Sequence, residues 1–139
     1  MPNIAPKFLL NFFLVLPLGL WAQLILQVTS IPSNTPNDSD IYLAGDFNNW
    51  SPDNGDYILD ETGSDTYEIS LDIPAGNYEF KFTRGSWPTV EGTAAGTFRP
   101  NRQVTYSGGT QPEALTIEGW VDQSGTSGTA ADYVSILSE

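Results

Sequence analysis

Apolar and polar positions alternate along much of the chain with the period of two that a half-buried strand requires, most cleanly in YEFKFTRGSW, residues 78–87. Tyr78, Phe80 and Phe82 fall on one side, and Glu79, Lys81 and Thr83 on the other. The pattern predicts a central strand with an aromatic side against a core and a wet side carrying Lys81. Arg84, Gly85 and Ser86 interrupt the alternation, and Pro88, directly after Trp87, has no N–H with which to continue a ladder. Trp87 is therefore expected to be displayed at the strand end. A lysine and an indole so close together suit a ligand with both hydroxyls and apolar faces, such as a sugar chain.

Six further segments read as strands between Pro-, Asn-, Asp- and Gly-rich turns: LILQVTSI (24–31), IYLAGDF (41–47), DYILDE (56–61), TYEISLDI (66–73), RQVTYS (102–107) and ALTIEGW (114–120). DYILDE reads as an edge strand. In TYEISLDI, Tyr67, Ile69, Leu71 and Ile73 share a face, and PAGN then turns the chain into the central strand. Roughly seven short strands over about a hundred residues, with no long amphipathic helix, predict an all-β fold, an immunoglobulin-like antiparallel β-sandwich.

The ends of the chain differ from its body. Lys7 precedes an apolar run from Phe8 to Ala22 that is interrupted by Asn11, Pro17 and Gly19, and the run is shorter than the roughly 20 residues that span a bilayer. Residues 1–22 are expected to be a secretory signal peptide, with Trp21 leaving with it, and an uncleaved anchor is the alternative. Residues 23–121 form the expected module. Gln123 to Ala130 is Gly-, Ser- and Thr-rich, and the chain turns apolar again at Tyr133, Val134, Ile136 and Leu137. Residues 122–139 therefore read as a linker and the possible start of a following domain. The expected location is secreted, periplasmic or on the cell surface.

Composition narrows the chemistry. The 139 residues allow one domain, and a formal net charge of −12 with five Lys and Arg argues against nucleic-acid and anionic-membrane partners. Cysteine is absent, so no disulfide staples the fold; histidine is absent, which removes the commonest general base and metal ligand. Asp53, Asp56 and Asp60 cluster, but DNGD does not have the spacing of an EF-hand loop. There is no G-x-S-x-G elbow, and glycoside hydrolysis needs paired carboxylates in a deep cleft. No cofactor, metal or catalytic residue is expected. Asn37 and Asn49 begin Asn-x-Ser sequons, relevant only in a glycosylating pathway.

Three motifs in order, AGDFNNW (44–50), PAGNYEFKFTRGSW (74–87) and PNRQVT (100–105), resemble the starch-binding carbohydrate-binding modules of family 20. GDFNNW is also similar to the glycogen-binding modules of family 48. The resemblance covers residues 24–110. It implies an α-1,4-glucan partner (starch, glycogen or maltooligosaccharides) stacked on Trp50 and Trp87, with Lys81 and Asn101 bonding its hydroxyls. It also implies an exported bacterial protein in which such a module stands ahead of an esterase-like catalytic domain. The loop before Trp50 is shorter than in fungal modules, so a second sugar site is not carried over, and Gly92 to Phe98 lies where such modules vary.

Pyranose C–H faces stack on indole while their hydroxyls need donors and acceptors at the rim. Two indoles at an angle match a curved glucan better than a flat cellulose chain. Other roles compete for these residues. Trp50 also fits a cap on the core, Lys81 a solvated strand position, and Asn101 a turn between Pro100 and Arg102; Trp120 reads as a core or interdomain contact. The rival reading of the whole chain is a structural or protein-interaction sandwich with no sugar ligand.

Overall fold

The computed structural model describes residues 22–123; the expected signal peptide up to Trp21 and the tail from Ser124 onward lie outside the described residues. The alternating Leu24, Leu26 and Val28 of β1 (Gln23–Ser30) are all at most 1% exposed. Next come β2 (Tyr42–Gly45), β3 (Asp60–Gly63), β4 (Thr66–Leu71), β5 (Gly76–Thr83), β6 (Glu91–Gly92), β7 (Arg102–Tyr106), β8 (Thr110–Thr116) and β9 (Gly119–Trp120). One sheet has the order β3-β4-β1-β8, a second has β2-β5-β7, and β6 pairs with β9. The larger sheet places Leu71, Ile69 and Tyr67 opposite Leu24, Leu26 and Val28. In the smaller one Leu43 faces Phe82, and Tyr78 faces Val104. The apolar faces join in one core with Ile41, Leu59, Phe80, Tyr106 and Ile117. This is the expected all-β sandwich, with β5 central in its sheet.

Several boundaries differ from the alternation, each for a local reason. DYILDE does not form a continuous strand: Asn54 accepts the Asp56 N–H at 3.0 Å and starts a 3-10 turn at Gly55–Tyr57, Ile58 makes a single bridge to Tyr42, and the ladder with β4 begins at Asp60. The second strand ends at Gly45 because the chain turns at Asp46. ALTIEGW is split between β8 and β9, and β8 starts earlier, right after Gly108 and Gly109 turn the chain with φ of 94° and 75°. β8 runs parallel to β1, whereas the other strand pairs are antiparallel.

Trp120 closes the core at 1% exposure, donating its indole N–H to Thr35 Oγ1 at 2.8 Å beneath the Arg84 guanidinium, 5.0 Å from the ring centroid. Arg84 pairs with Asp122 at 2.5 Å, which ties the Val121–Gln123 turn to the domain. The fully buried Glu91 carboxylate is held by Arg102 through contacts of 2.7 to 3.0 Å, and it accepts the Phe82 N–H at 3.0 Å. The β5–β7 register ends at Phe80 opposite Arg102; two residues further along β5, a carboxylate takes the place of a strand. Such a charge is tolerated inside because its oxygens are saturated.

Candidate functional site

The platform begins at a close backbone approach. A Cβ on Gly45 would lie 2.5 Å from the Glu79 carbonyl oxygen and 2.7 Å from the Phe80 Cβ, so β2 meets β5 there only as glycine. The next residues wrap around Asn48, which is 9% exposed. Its Oδ1 accepts the Gly45 N–H at 3.0 Å, and its Nδ2 donates to the carbonyls of Leu43 and Ser51 at 2.9 and 3.1 Å. Asn49 and Trp50 follow with φ of 54° and 58°. Left-handed backbone costs an L-residue about 1–2 kcal/mol. Here the Asn48 network and the Trp50 N–H bond to the Gly45 carbonyl, 3.0 Å, hold it in place. The result is a half-buried indole at the tip of the turn.

Asp46 fixes that indole. One carboxylate oxygen accepts Trp50 Nε1–H at 3.1 Å, and the other accepts the Glu79 backbone N–H at 2.7 Å. Across from it, Gly85 turns the chain with φ of 87°, and Trp87 to Thr89 form a single 3-10 turn closed by the Thr89 N–H on the Ser86 carbonyl at 3.1 Å. Trp87 is half-buried and sits 6.4 Å from Trp50 between ring centroids, with the rings inclined by 31°. Residues 37 positions apart are thereby brought together.

Lys81 differs from its expected setting. It does lie on the side of β5 away from Phe80 and Phe82, but it is 4% exposed rather than wet. The segment after Trp50 crosses that side of the sheet, where the Pro52 carbonyl accepts the Thr83 hydroxyl at 2.5 Å, and the Arg99 carbonyl takes an ammonium N–H. Burial pushes the Lys81 pKa below its ordinary value, an effect opposed by the nearby Glu91 carboxylate and assisted by Arg99 and Arg102. Asn101 is exposed, and its Nδ2 donates to Glu79 Oε2 at 3.2 Å.

Asp46 and Glu79 thus connect Trp50 to Asn101, and neither was singled out in the sequence. Both had a signal there: Asp46 lies inside GDFNNW, and Glu79 shares the Lys81 side of the period-two pattern. Asn48 was equally hidden in the motif, as a residue that shapes the loop.

Residues 40–117, more than half of the chain and all of this platform, match the family model of the pullulanase X25 domain. The chain belongs to that family. The X25 domain is a starch-binding-like module found in amylases and amylopullulanases; the match specifies neither family 20 nor family 48, the two that the sequence resembles. An alpha-amylase of Niallia circulans is 41% identical over 95 residues, which are 68% of this chain and 7% of that protein. An amylopullulanase of Thermoanaerobacter thermohydrosulfuricus is 33% identical over 99 residues, 67% of this chain and 6% of its own length. An amylopullulanase of Thermoanaerobacterium thermosulfurigenes is 36% identical over 85 residues, 60% of this chain and 4% of its own. The chain spans less than a tenth of each relative. These relatives are bacterial and named as amylolytic enzymes, where the sequence resemblance had implied an esterase-like neighbour.

Proposed function

We propose that this X25 domain is a non-catalytic binding module that docks a secreted bacterial amylolytic protein onto α-1,4-glucan. The observation that carries the reading is the tilted Trp50–Trp87 pair, 6.4 Å between centroids, on two loops whose backbones are arranged to hold both indoles partly outside. Successive glucose rings of a curved chain stack on the two faces. Trp50 has already committed its N–H to Asp46, so it contributes stacking alone. Lys81, buried with its ammonium on the Arg99 carbonyl, braces the sheet beneath the platform and does not reach the sugar. The exposed Asn101 supplies an amide to a glucose hydroxyl.

Each buried aromatic contributes about 1.5–3 kcal/mol and each net hydrogen bond roughly 0.5–1.5, less at least about 4 for association. The dissociation constant is then on the order of micromolar to millimolar, suited to keeping a catalytic partner near its substrate.

The test is native gel electrophoresis through soluble starch beside a dextran control, with the wild type, Trp50→Ala and Trp87→Ala. Starch alone is expected to retard the wild type, and both folded variants to migrate freely. A folded wild type that runs unretarded would sink the reading and leave the rival, a protein-interaction sandwich.

A further inference from the structure

The side of β5 that carries Lys81 continues past the tryptophans along β5 and β7. Moving back along β5, the residues on that side are Glu79 and Asn77, which the register sets opposite Gln103 and Thr105. Two side-chain rungs join the strands: Gln103 Nε2 donates to Glu79 Oε1 at 2.9 Å, and Thr105 Oγ1 donates to Asn77 Oδ1 at 2.7 Å. Together with Tyr78 and Val104, these four residues line a shallow hollow of about 360 Å³. Asn77, Gln103 and Thr105 are exposed.

Hydrogen bonds through Glu79 link the hollow to the tryptophan platform. The second oxygen of Glu79 takes Asn101 Nδ2, and its backbone N–H is held by the same Asp46 that orients Trp50. Amides, a hydroxyl and a carboxylate line it, with no cation among them. That set suits a neutral polyhydroxylated ligand, because a phosphate or uronate would meet the Glu79 charge. No tryptophan lies there to supply stacking, so the strip is a weak binder by itself. It gains from a chain already anchored on Trp50 and Trp87, because its contacts are then intramolecular. The rungs are two residues apart, about 6.8 Å along the strand, a step comparable to one sugar ring.

We infer that Asn77, Glu79, Gln103 and Thr105 form an outer sugar-binding subsite that engages α-glucan chains longer than the segment stacked on the tryptophans. This rests on the α-glucan reading above and extends its site.

The experiment is calorimetric titration of the whole chain with maltotriose and maltoheptaose, for the wild type, the double variant Asn77→Ala/Thr105→Val, and Thr105→Val alone. Maltoheptaose also gains statistically by offering more registers to the tryptophans, but the substitutions leave that gain intact. The double variant is expected to lose about threefold to tenfold of its maltoheptaose affinity, the effect of one or two net hydrogen bonds, with maltotriose affinity unchanged. The exposed Thr105→Val keeps the β-branched shape and is expected to show the same selective loss at smaller size. An equal loss for both sugars, or no loss for either, overturns the subsite while leaving the stacking site standing. A wild type that binds neither sugar overturns the α-glucan reading and the subsite with it.

Discussion

Three tryptophans in the described residues meet two different fates. Trp120 is buried to 1% exposure, with its N–H on Thr35 and a guanidinium over its ring. Trp50 and Trp87 stand partly in solvent and face each other. The side chain is the same, so hydrophobicity does not decide between them; the backbone does. Trp120 lies in a short strand paired with β6 and follows the sandwich inward. Trp50 sits in left-handed backbone at a turn tip, and Trp87 opens a 3-10 turn with proline next to it.

The sharpest way to break this contrast is to truncate each indole in turn. Trp120→Ala is expected to cost about 3–5 kcal/mol of stability, as large aromatic deletions in cores do, read from urea denaturation. Glu91→Ala tests the same interior from its polar side: removing the buried partner of the half-buried Arg102 is expected to cost up to about 3–5 kcal/mol, again by urea. Trp50→Ala and Trp87→Ala are expected to leave the urea midpoint nearly unchanged. Each would instead lower maltoheptaose affinity by about tenfold or more, equivalent to losing roughly 1.5–3 kcal/mol of stacking. If either change unfolds the domain as Trp120→Ala does, the division between fold and site collapses.

The smallest expected effect belongs to Lys81, which lies between the two regions. Its folded pKa is lowered, chiefly by burial, so the unfolded chain holds that proton more tightly. The charged lysine therefore penalises folding below the folded pKa, and stability recovers as pH rises through the folded value toward the ordinary one. Measured against Lys81→Met, the wild type is expected to gain stability as the pH rises toward the ordinary lysine value of 10.5, followed by urea midpoints. A flat difference across that range would mean that the ammonium is well solvated.

Much of this division was legible in the sequence. Alternation placed β5 at the centre of its sheet and set Phe80 and Phe82 against Lys81, because side-chain period follows from strand geometry alone. The interruption after Thr83 marked the end of β5 ahead of Trp87. The burial of Lys81 was not legible, since it depends on a loop folding back over the sheet and on a carbonyl 18 residues away. Glu91 gave no sign of being interior: its partner lies 11 residues on, in a strand that reads as half-exposed. Nor does any local pattern tell the parallel pairing of β1 with β8 from an antiparallel one, because that choice rests on connections across the whole domain.

That parallel pairing has a mechanical consequence. Gln23 pairs with Thr110 at one end of the sandwich, and Ser30 pairs with Thr116 at the other. The chain therefore enters β1 at one pole and leaves β8 at the opposite one. Tension between residues 23 and 116 runs along both strands and loads the whole ladder in shear, so its seven register pairs must slip together instead of peeling open one at a time.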